Sequence, residues 1–419
     1  MSGEHGPENE GVVSEEAANG PVAVTGVGAV SPFGWTSEDL WQGLLTGRSS
    51  VRVPERLDTE GHRTREAGEV PAPEPGIAER HPAWGEWSWA DRFAVMAAEE
   101  ALNQAFGEAR APVRCGVFFG GSTAGMYEGE RYYRQLLDGT SSRLRDLRSH
   151  QLNGPGDAVA RQFGCTGLTL SVSSACASGA LALGDALDAL RSGEVDVALA
   201  GGSDALCQLT YAGFNALRAI DGQHSRPFRA ERAGLNLGEG AGVLVLETVA
   251  GARRRGAEVL ALLSGAGASC DAHHMTAPHP EGEGAARAIR AALEDASVTP
   301  DSIGFLNAHG TGTPLNDSSE SLAAESVFGA RALPLTSAKG AIGHFLGAAG
   351  AVEAVLSVLV VQQAQVPPTH GAGTVDESCP VDLVQKDPRQ LDPSRTSSVS
   401  TNFAFGGANA AVVIGPSVR

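Results

Sequence analysis

Aromatic residues are scarce in this chain, 5% of 419, and its longest apolar runs, such as AVEAVLSVLVV, fall short of the roughly 18 residues that span a bilayer. The acidic N-terminus lacks the basic start and apolar core of a signal peptide. Basic charge is in deficit as well. A formal net charge of −18 opposes binding of the whole protein to nucleic acid or to an anionic membrane surface, so an acidic partner would need a local basic patch. The six cysteines, at 115, 165, 176, 207, 270 and 379, form no CxxC pair and show no zinc-like spacing with histidine, which argues against a metal site and a disulfide framework. From these absences the expectation is a soluble, cytoplasmic protein without a nucleic-acid or membrane partner.

What is abundant is glycine, 54 residues, clustered beside apolar runs such as GVFFGGS and ALAGGSD, a pattern suited to tight strand-to-helix turns. A chain of this length exceeds what one core usually supports, so two units or one duplicated unit is the expectation. Residues 1–20, poor in apolar side chains, are expected to form a disordered tail. Beyond them, buried strands are expected at Val22–Val27, Arg114–Phe119, Leu168–Val172 and Val195–Ala200, and helices at Ala90–Ala105, Cys176–Ser192, Ala285–Ala296 and Gly347–Gln363. Their alternation implies an α/β fold with mainly parallel sheets. AVTGVGAVSPFG is echoed by ALLSGAGASCDAHH, and SVSSACASGALALGDAL by TSAKGAIGHFLGAAGAVEAVL, which suggests two similar halves, 21–258 and 259–419. Residues 50–90 read as an irregular excursion, and 127–158 as a helical insertion carrying Arg134, Arg143, Arg145 and Arg148.

Four segments carry chemistry. Cys176 lies where a strand turns into an Ala-rich helix, and a helix N-terminus favours a thiolate. Read alone, it fits a buried structural cysteine equally well. His309, in NAHGTGTPLND, follows the apolar strand Ile303–Leu306, at the end of a strand where α/β sheets place ligands, although a histidine capping a turn would look the same. Lys339 and His344 stand five apart at the start of an Ala-rich helix, a place where a lone lysine is usually solvated. Adjacent glycines in NFAFGGANA let backbone N–H groups approach a ligand, as in half of an oxyanion hole or a gate. Together one thiol, two imidazoles, one ammonium and a Gly-rich turn make an acyl-transfer set.

In this order ACASGALALGDAL, NAHGTGTPLND, SAKGAIGHFLGAAGAVEA and NFAFGGANA resemble the elongating type II β-ketoacyl-acyl-carrier-protein synthases, as do SRPFRAERAGLNLGEGAGVLVLE (225–247) and DAHHMTAP (271–278). The resemblance implies the thiolase fold, two related halves in a five-layer α/β/α/β/α arrangement. It implies decarboxylative condensation of malonyl-carrier protein with an acyl chain on Cys176, with His309 and His344 stabilising the enolate. Lys339 would be an ordering charge paired with Glu320, and Asp317 a supporting residue. The backbone N–H groups of Cys176 and Phe405 would form the oxyanion hole, with Phe405 as gate, and Thr311 and Thr313 would bond the pantetheine arm. No cofactor is implied beyond the phosphopantetheine of the acyl carrier protein. That carrier is one expected partner, with Arg218 at its docking surface. The other is a second copy, or a chain-length-factor-like relative forming a heterodimer.

The chain departs from the family in places. His81-Pro-Ala-Trp84-Gly-Glu-Trp87-Ser-Trp89 replaces the usual basic docking cluster, leaving the insertion arginines as substitutes. In the acyl pocket, with Phe214, Thr123 stands where Ile is frequent and Leu235-Asn236 replaces an aromatic-aliphatic pair. Ala404 replaces a gate glycine. These departures favour a specialised type II polyketide or polyene pathway over primary fatty-acid elongation. A non-catalytic length-setting partner would lack the nucleophile, and a Cys-His hydrolase would need an orienting Asp or Asn.

Overall fold

The computed structural model describes residues 20–112 and 114–417; the tail expected at 1–20 lies, apart from Gly20, outside the described residues. The first half holds five strands, β1 (Val22–Val30), β2 (Cys115–Gly120), β3 (Thr169–Val172), β4 (Val197–Asp204) and β5 (Gly240–Thr248). Five more of three residues or longer follow, β6 (Ala261–Cys270), β7 (Ile303–Asn307), β8 (Pro334–Thr336), β9 (Ser397–Phe403) and β10 (Ala408–Gly415), and the two-residue strand Asp382–Leu383 extends the sheet beside β8. Strand order is β3-β2-β4-β5-β1 in the first set and β8-β7-β9-β10-β6 in the second. Numbered from its own first strand, each set reads 3-2-4-5-1. The echo heard in the sequence is therefore a repeat of topology.

Parallel and antiparallel pairs repeat in step: β2 runs parallel to β3 and β4 as β7 does to β8 and β9, and β5 is antiparallel to β4 and β1 as β10 is to β9 and β6. The expectation of mainly parallel sheets is thus corrected. In the second set β9 and β10 join through the short turn 404–407, whereas in the first β4 and β5 are joined by residues 205–239, which include the helix Gln208–Ala216; in both the chain returns antiparallel beside the strand it left. A three-residue antiparallel contact between β1 and β6 joins the two sets.

Six helices build the layers: α1 (Trp89–Phe106), α2 (Gly154–Phe163), α3 (Ser178–Arg191), α4 (Glu283–Asp295), α5 (Pro314–Phe328) and α6 (Ala349–Gln363). Alternation along the strands sorts side chains to opposite faces. Val117 and Phe119 of β2, Leu199 of β4 and Val243 and Val245 of β5 pack outward with α1 and α2. Phe118, Ala198, Ala200, Leu244 and Leu246 turn inward to meet α3 and α6, as do Phe305, Ala410, Val412 and Ile414 from the other set. Ile289 and Leu293 of α4 close the far side with Leu306, Val399 and Val413. The order of layers is helix, sheet, helix pair, sheet, helix. Because both faces of each sheet are covered, most strands are apolar without interruption.

The central pair α3 and α6 touch closely: a Cβ on Gly179 would lie 2.7 Å from the Ala351 backbone nitrogen. Residues Leu346–Gln363 are long and apolar enough to cross a membrane by composition, yet most of that stretch is buried in this middle layer. One strand differs from expectation. β3, read as buried, is the partly exposed outer edge of the sheet, with Leu168 and Leu170 more than a third exposed.

Candidate active site

Cys176, His309, His344, Lys339 and Phe405 all follow the carboxyl ends of parallel strands: β3, β7, β8 and β9. The two central helices bring three of them together, since Cys176 precedes α3 while Lys339 and His344 precede α6; His309 meets His344 from the end of β7. At the elbow after β3, Ala175 adopts a left-handed φ of 44°, a conformation that costs a residue with a Cβ about 1 kcal/mol or more. Ser178 holds the turn. Its hydroxyl donates to the Ala175 carbonyl at 2.5 Å and accepts the Ser174 N–H at 2.8 Å. The helix begins at Ser178, two residues later than expected. Nor is the thiol acidified: burial pushes Cys176 up to about 12, Lys339 pulls the other way, and Asp204 and Glu353 add to the rise. Desolvation of the thiolate outweighs the helix N-terminus.

His309 and His344 face one another with ring centroids 5.2 Å apart and planes at 83°. Leu346 N–H donates to His344 Nδ1 at 3.2 Å, which leaves the proton of the neutral ring on Nε2. The His344 backbone N–H donates to the Asn236 carbonyl at 2.8 Å. Burial, reinforced by Lys339, holds both imidazoles well below the usual histidine range. Two neutral rings so placed can donate hydrogen bonds to a developing oxyanion.

The expected pairing of Lys339 with Glu320 is not what the structure contains. Lys339 pairs with buried Glu353 of α6, whose other oxygen accepts the Asn402 amide at 2.7 Å. Glu320 is already engaged: it accepts the His309 and Gly310 backbone N–H groups, each at 2.8 Å, and the Thr401 hydroxyl at 2.8 Å. Its role is to fix the loop that carries His309. Burial raises its carboxyl to about 7.

Asp317 likewise serves backbone, accepting Phe228 N–H at 2.7 Å and Gly312 N–H at 3.1 Å. Beside it lies buried Arg232, 3.8 Å away, which also bonds Asp376, Ser318 and the Pro314 carbonyl. Arg232 falls within SRPFRAERAGLNLGEGAGVLVLE (225–247), where as a single residue it carries no signal in the sequence. The Thr311 and Thr313 hydroxyls bond each other at 2.9 Å on the cavity wall.

Phe405 heads a turn in which Gly406 and Gly407 take φ of 88° and 80°. Its ring stacks on Phe214 at 5.6 Å and 16°, and it is 38% exposed. The turn is tied to the 271–279 loop: Gly406 N–H donates to the Met275 carbonyl at 2.7 Å and Asp271 N–H to the Gly407 carbonyl at 2.8 Å. Any movement of Phe405 involves that loop.

A cavity of about 290 Å³ runs from Cys176 and both histidines past Thr311, Thr313 and Leu235 to a mouth at Phe214, Arg218 and Leu315. Thr123 does not line this cavity. Its hydroxyl lies 2.9 Å from Asp204 Oδ1 and 3.1 Å from the Ala205 carbonyl. Asn236 also turns away, its side chain accepting Ser225 N–H and donating to the Gln223 carbonyl. The insertion arginines are likewise apart from the mouth: Arg148 pairs with Glu86, and Arg143 and Arg145 line a separate polar cavity with Trp87 and Trp89.

Comparison with known proteins adds three findings. The family described as "Beta-ketoacyl synthase, N-terminal domain" matches residues 19–252, and "Beta-ketoacyl synthase, C-terminal domain" matches 260–372. The 3-oxoacyl-[acyl-carrier-protein] synthase 2 of Staphylococcus aureus (strain COL) is 36% identical over 411 residues, covering 94% of this chain and 98% of that one. Among solved structures, the ishigamide ketosynthase/chain length factor superposes with a TM-score of 0.89 at 35% identity, covering 95% and 100%. AntDE:AntF, a type II PKS acyl-carrier protein in complex with its ketosynthase bound to the hexaketide, gives 0.83 at 29%, covering 95% and 100%.

Proposed function

This chain belongs to the β-ketoacyl synthase family, and on that premise we propose how its residues divide the work of a decarboxylative Claisen condensation. The Cys176 sulfur attacks the thioester carbonyl of an acyl chain on a carrier protein's phosphopantetheine. The resulting oxyanion is held by the backbone N–H groups of Cys176 and Phe405, and the pantetheine thiol departs with the proton. Malonyl-carrier protein then enters, its arm lying along Thr311 and Thr313. Its carboxylate leaves as carbon dioxide, and the bond electrons become an enolate whose oxygen accepts from His309 and from Nε2–H of His344. The enolate carbon attacks the acyl-Cys176 carbonyl, the carbon–sulfur bond breaks, and the thiolate is reprotonated as the 3-ketoacyl carrier departs.

Lys339, paired with Glu353, keeps its ammonium beside the imidazoles and so adds to burial in holding both neutral. Glu320 and Asp317 hold the His309 and Thr311 loops. The observation that carries the reading is the convergence of Cys176 with two neutral, mutually facing imidazoles in one cavity.

Arg218 at the cavity mouth is the docking contact for the acyl carrier protein. β3, an open edge with exposed Leu168 and Leu170, is where a second chain would continue the sheet, either another copy or a chain-length-factor-like relative. We place the enzyme in a specialised type II polyketide or polyene pathway, a reading supported by its likeness to the ishigamide and AntDE ketosynthases. Primary fatty-acid elongation is the second reading, favoured by the Staphylococcus relative. Turnover with matched carrier-bound substrates separates them. Faster condensation on polyenoyl than on saturated medium-length chains is expected, and equal or faster turnover of the saturated chains would overturn the assignment.

A further inference from the structure

The cavity that ends at Cys176 opens between four parts of the chain, and the side chains they set around the opening are mostly apolar. Phe214 and Leu217 come from the end of the helix Gln208–Ala216 and the residue that caps it, and Leu315 from the first turn of α5. Phe405 comes from the gate turn, and Met275 from the loop beside it, where its carbonyl accepts Gly406 N–H and the next residue, Thr276, lines the cavity. Met275 is 79% exposed, Leu315 64% and Leu217 58%. A single exposed leucine needs no explanation, but apolar side chains gathered from separate segments onto one rim mark a surface that something covers.

Charge offers a partner little at this rim. Besides Cys176 and the two neutral histidines, the ionisable side chains among the described residues that line the cavity are Arg218 and Asp271, one of each sign. The arginines around Trp89 and in the helical insertion are engaged within the chain: Arg56 and Arg92 lie over the Trp89 ring at 4.0 and 4.6 Å, Arg131 pairs with Asp146 and Arg148 with Glu86. At longer range the net charge of −18 repels an acidic partner. What remains to hold a partner at the mouth is apolar area.

The occupant follows from the chemistry behind the rim. An acyl group reaches Cys176 on an arm anchored to a protein, and that protein sits on the rim while the arm fills the cavity along Thr311 and Thr313. Each turnover receives and releases the carrier twice, once with the acyl and once with the malonyl group, so the contact must be small and adaptable. An unbranched methionine suits such a contact.

We propose that the carrier protein is held chiefly by apolar contact: Leu217, Met275 and Leu315 receive an apolar side chain of the carrier beside its phosphopantetheine attachment, and Arg218 orients it. This rests on the ketosynthase reading and deepens it, by specifying how the partner of that site is bound. A charge-driven interface weakens steeply as salt rises, whereas an apolar one does not.

The test measures KM for carrier-bound and for small acyl-thioester substrates with the full-length protein. The double variant Leu217→Ser with Leu315→Ser should raise the KM for acyl-carrier protein at least about tenfold and that for the small thioester by no more than about twofold. Met275→Gln should raise the first about threefold, and Leu217→Met with Leu315→Met, which keeps the apolar contact, should bring it back to within about twofold of wild type. Raising sodium chloride from about 50 to about 500 mM should change the wild-type KM for acyl-carrier protein by less than about threefold. All three side chains are more than half exposed, so the variants should unfold at the wild-type temperature. An unmoved KM in the serine variant, an equal loss with both substrate forms, or a wild-type KM that climbs more than about tenfold with salt would overturn the proposal. Wild-type condensation in the same assay reports separately on the ketosynthase reading.

Discussion

The backbone N–H of Leu346 donates to Nδ1 of His344 at 3.2 Å, so the ring presents a proton on Nε2 to the cavity it shares with His309. Because burial and Lys339 hold both rings neutral, decarboxylation of malonyl-carrier protein should be flat from pH 8 to about 6.5, where an ordinary imidazole would titrate. A rate that halves near pH 6.5 would contradict this. The same shift has a stability consequence. A histidine whose folded pKa is depressed contributes fully above the unfolded value of about 6.5 and loses that contribution as pH falls toward the folded one. The stability difference between wild type and His344→Gln should therefore shift against wild type on acidification below about pH 6.5, by at most about 1.4 kcal/mol per pH unit, as read by urea unfolding.

Lys339 and Glu353 are both buried, and removing one partner leaves the other as an unpaired buried charge. Glu353→Gln should cost about 3–5 kcal/mol in denaturant unfolding. The double variant Lys339→Met with Glu353→Gln should cost less than the two single changes summed, and additivity would show that the pair is not coupled.

Phe405 stacks on Phe214 at the cavity mouth. Phe405→Ala should open the passage, raising the iodoacetamide reactivity of Cys176 about two- to fivefold, while condensation drops at least about tenfold if the ring acts as the proposed gate. Slower alkylation would show that the ring does not restrict access.

Arg218 stands at the mouth on an exposed turn with φ of 55°. Arg218→Glu should raise the KM for carrier-bound substrates about tenfold, equivalent to about 1.4 kcal/mol of binding, with kcat little changed. Turnover of small acyl-thioester mimics should be untouched. An equal loss with both substrate forms would remove Arg218 from docking.

Much of this site was legible in the sequence because its parts are local. Cys176, His309, Lys339, His344 and Phe405 each sit in a short glycine-rich segment at the end of a strand, and the four helices expected around them lie within two residues of their predicted ends. What sequence left open was pairing across the fold. Glu320 and Glu353 both lie on helices near Lys339, and spacing along the chain does not tell which carboxylate a lysine reaches; the three-dimensional placement of α6 decides it. Asp204 and Arg232 escaped for the same reason, since their partners are up to 144 residues away and each looks alone like an ordinary charged residue. The thiol was misjudged because a helix N-terminus is visible in a sequence whereas burial is not. β3 was misjudged because an apolar strand reads alike whether a sheet or a partner chain covers it.

The central claim is that Cys176 carries the acyl chain. Intact-mass and peptide analysis after incubation with an acyl-carrier protein should find one acyl adduct, on the peptide containing Cys176, absent from Cys176→Ser and released as a 3-ketoacyl-carrier product when malonyl-carrier protein is added. No adduct, an adduct on one of the other five cysteines, or release of the chain as free acid would contradict the account.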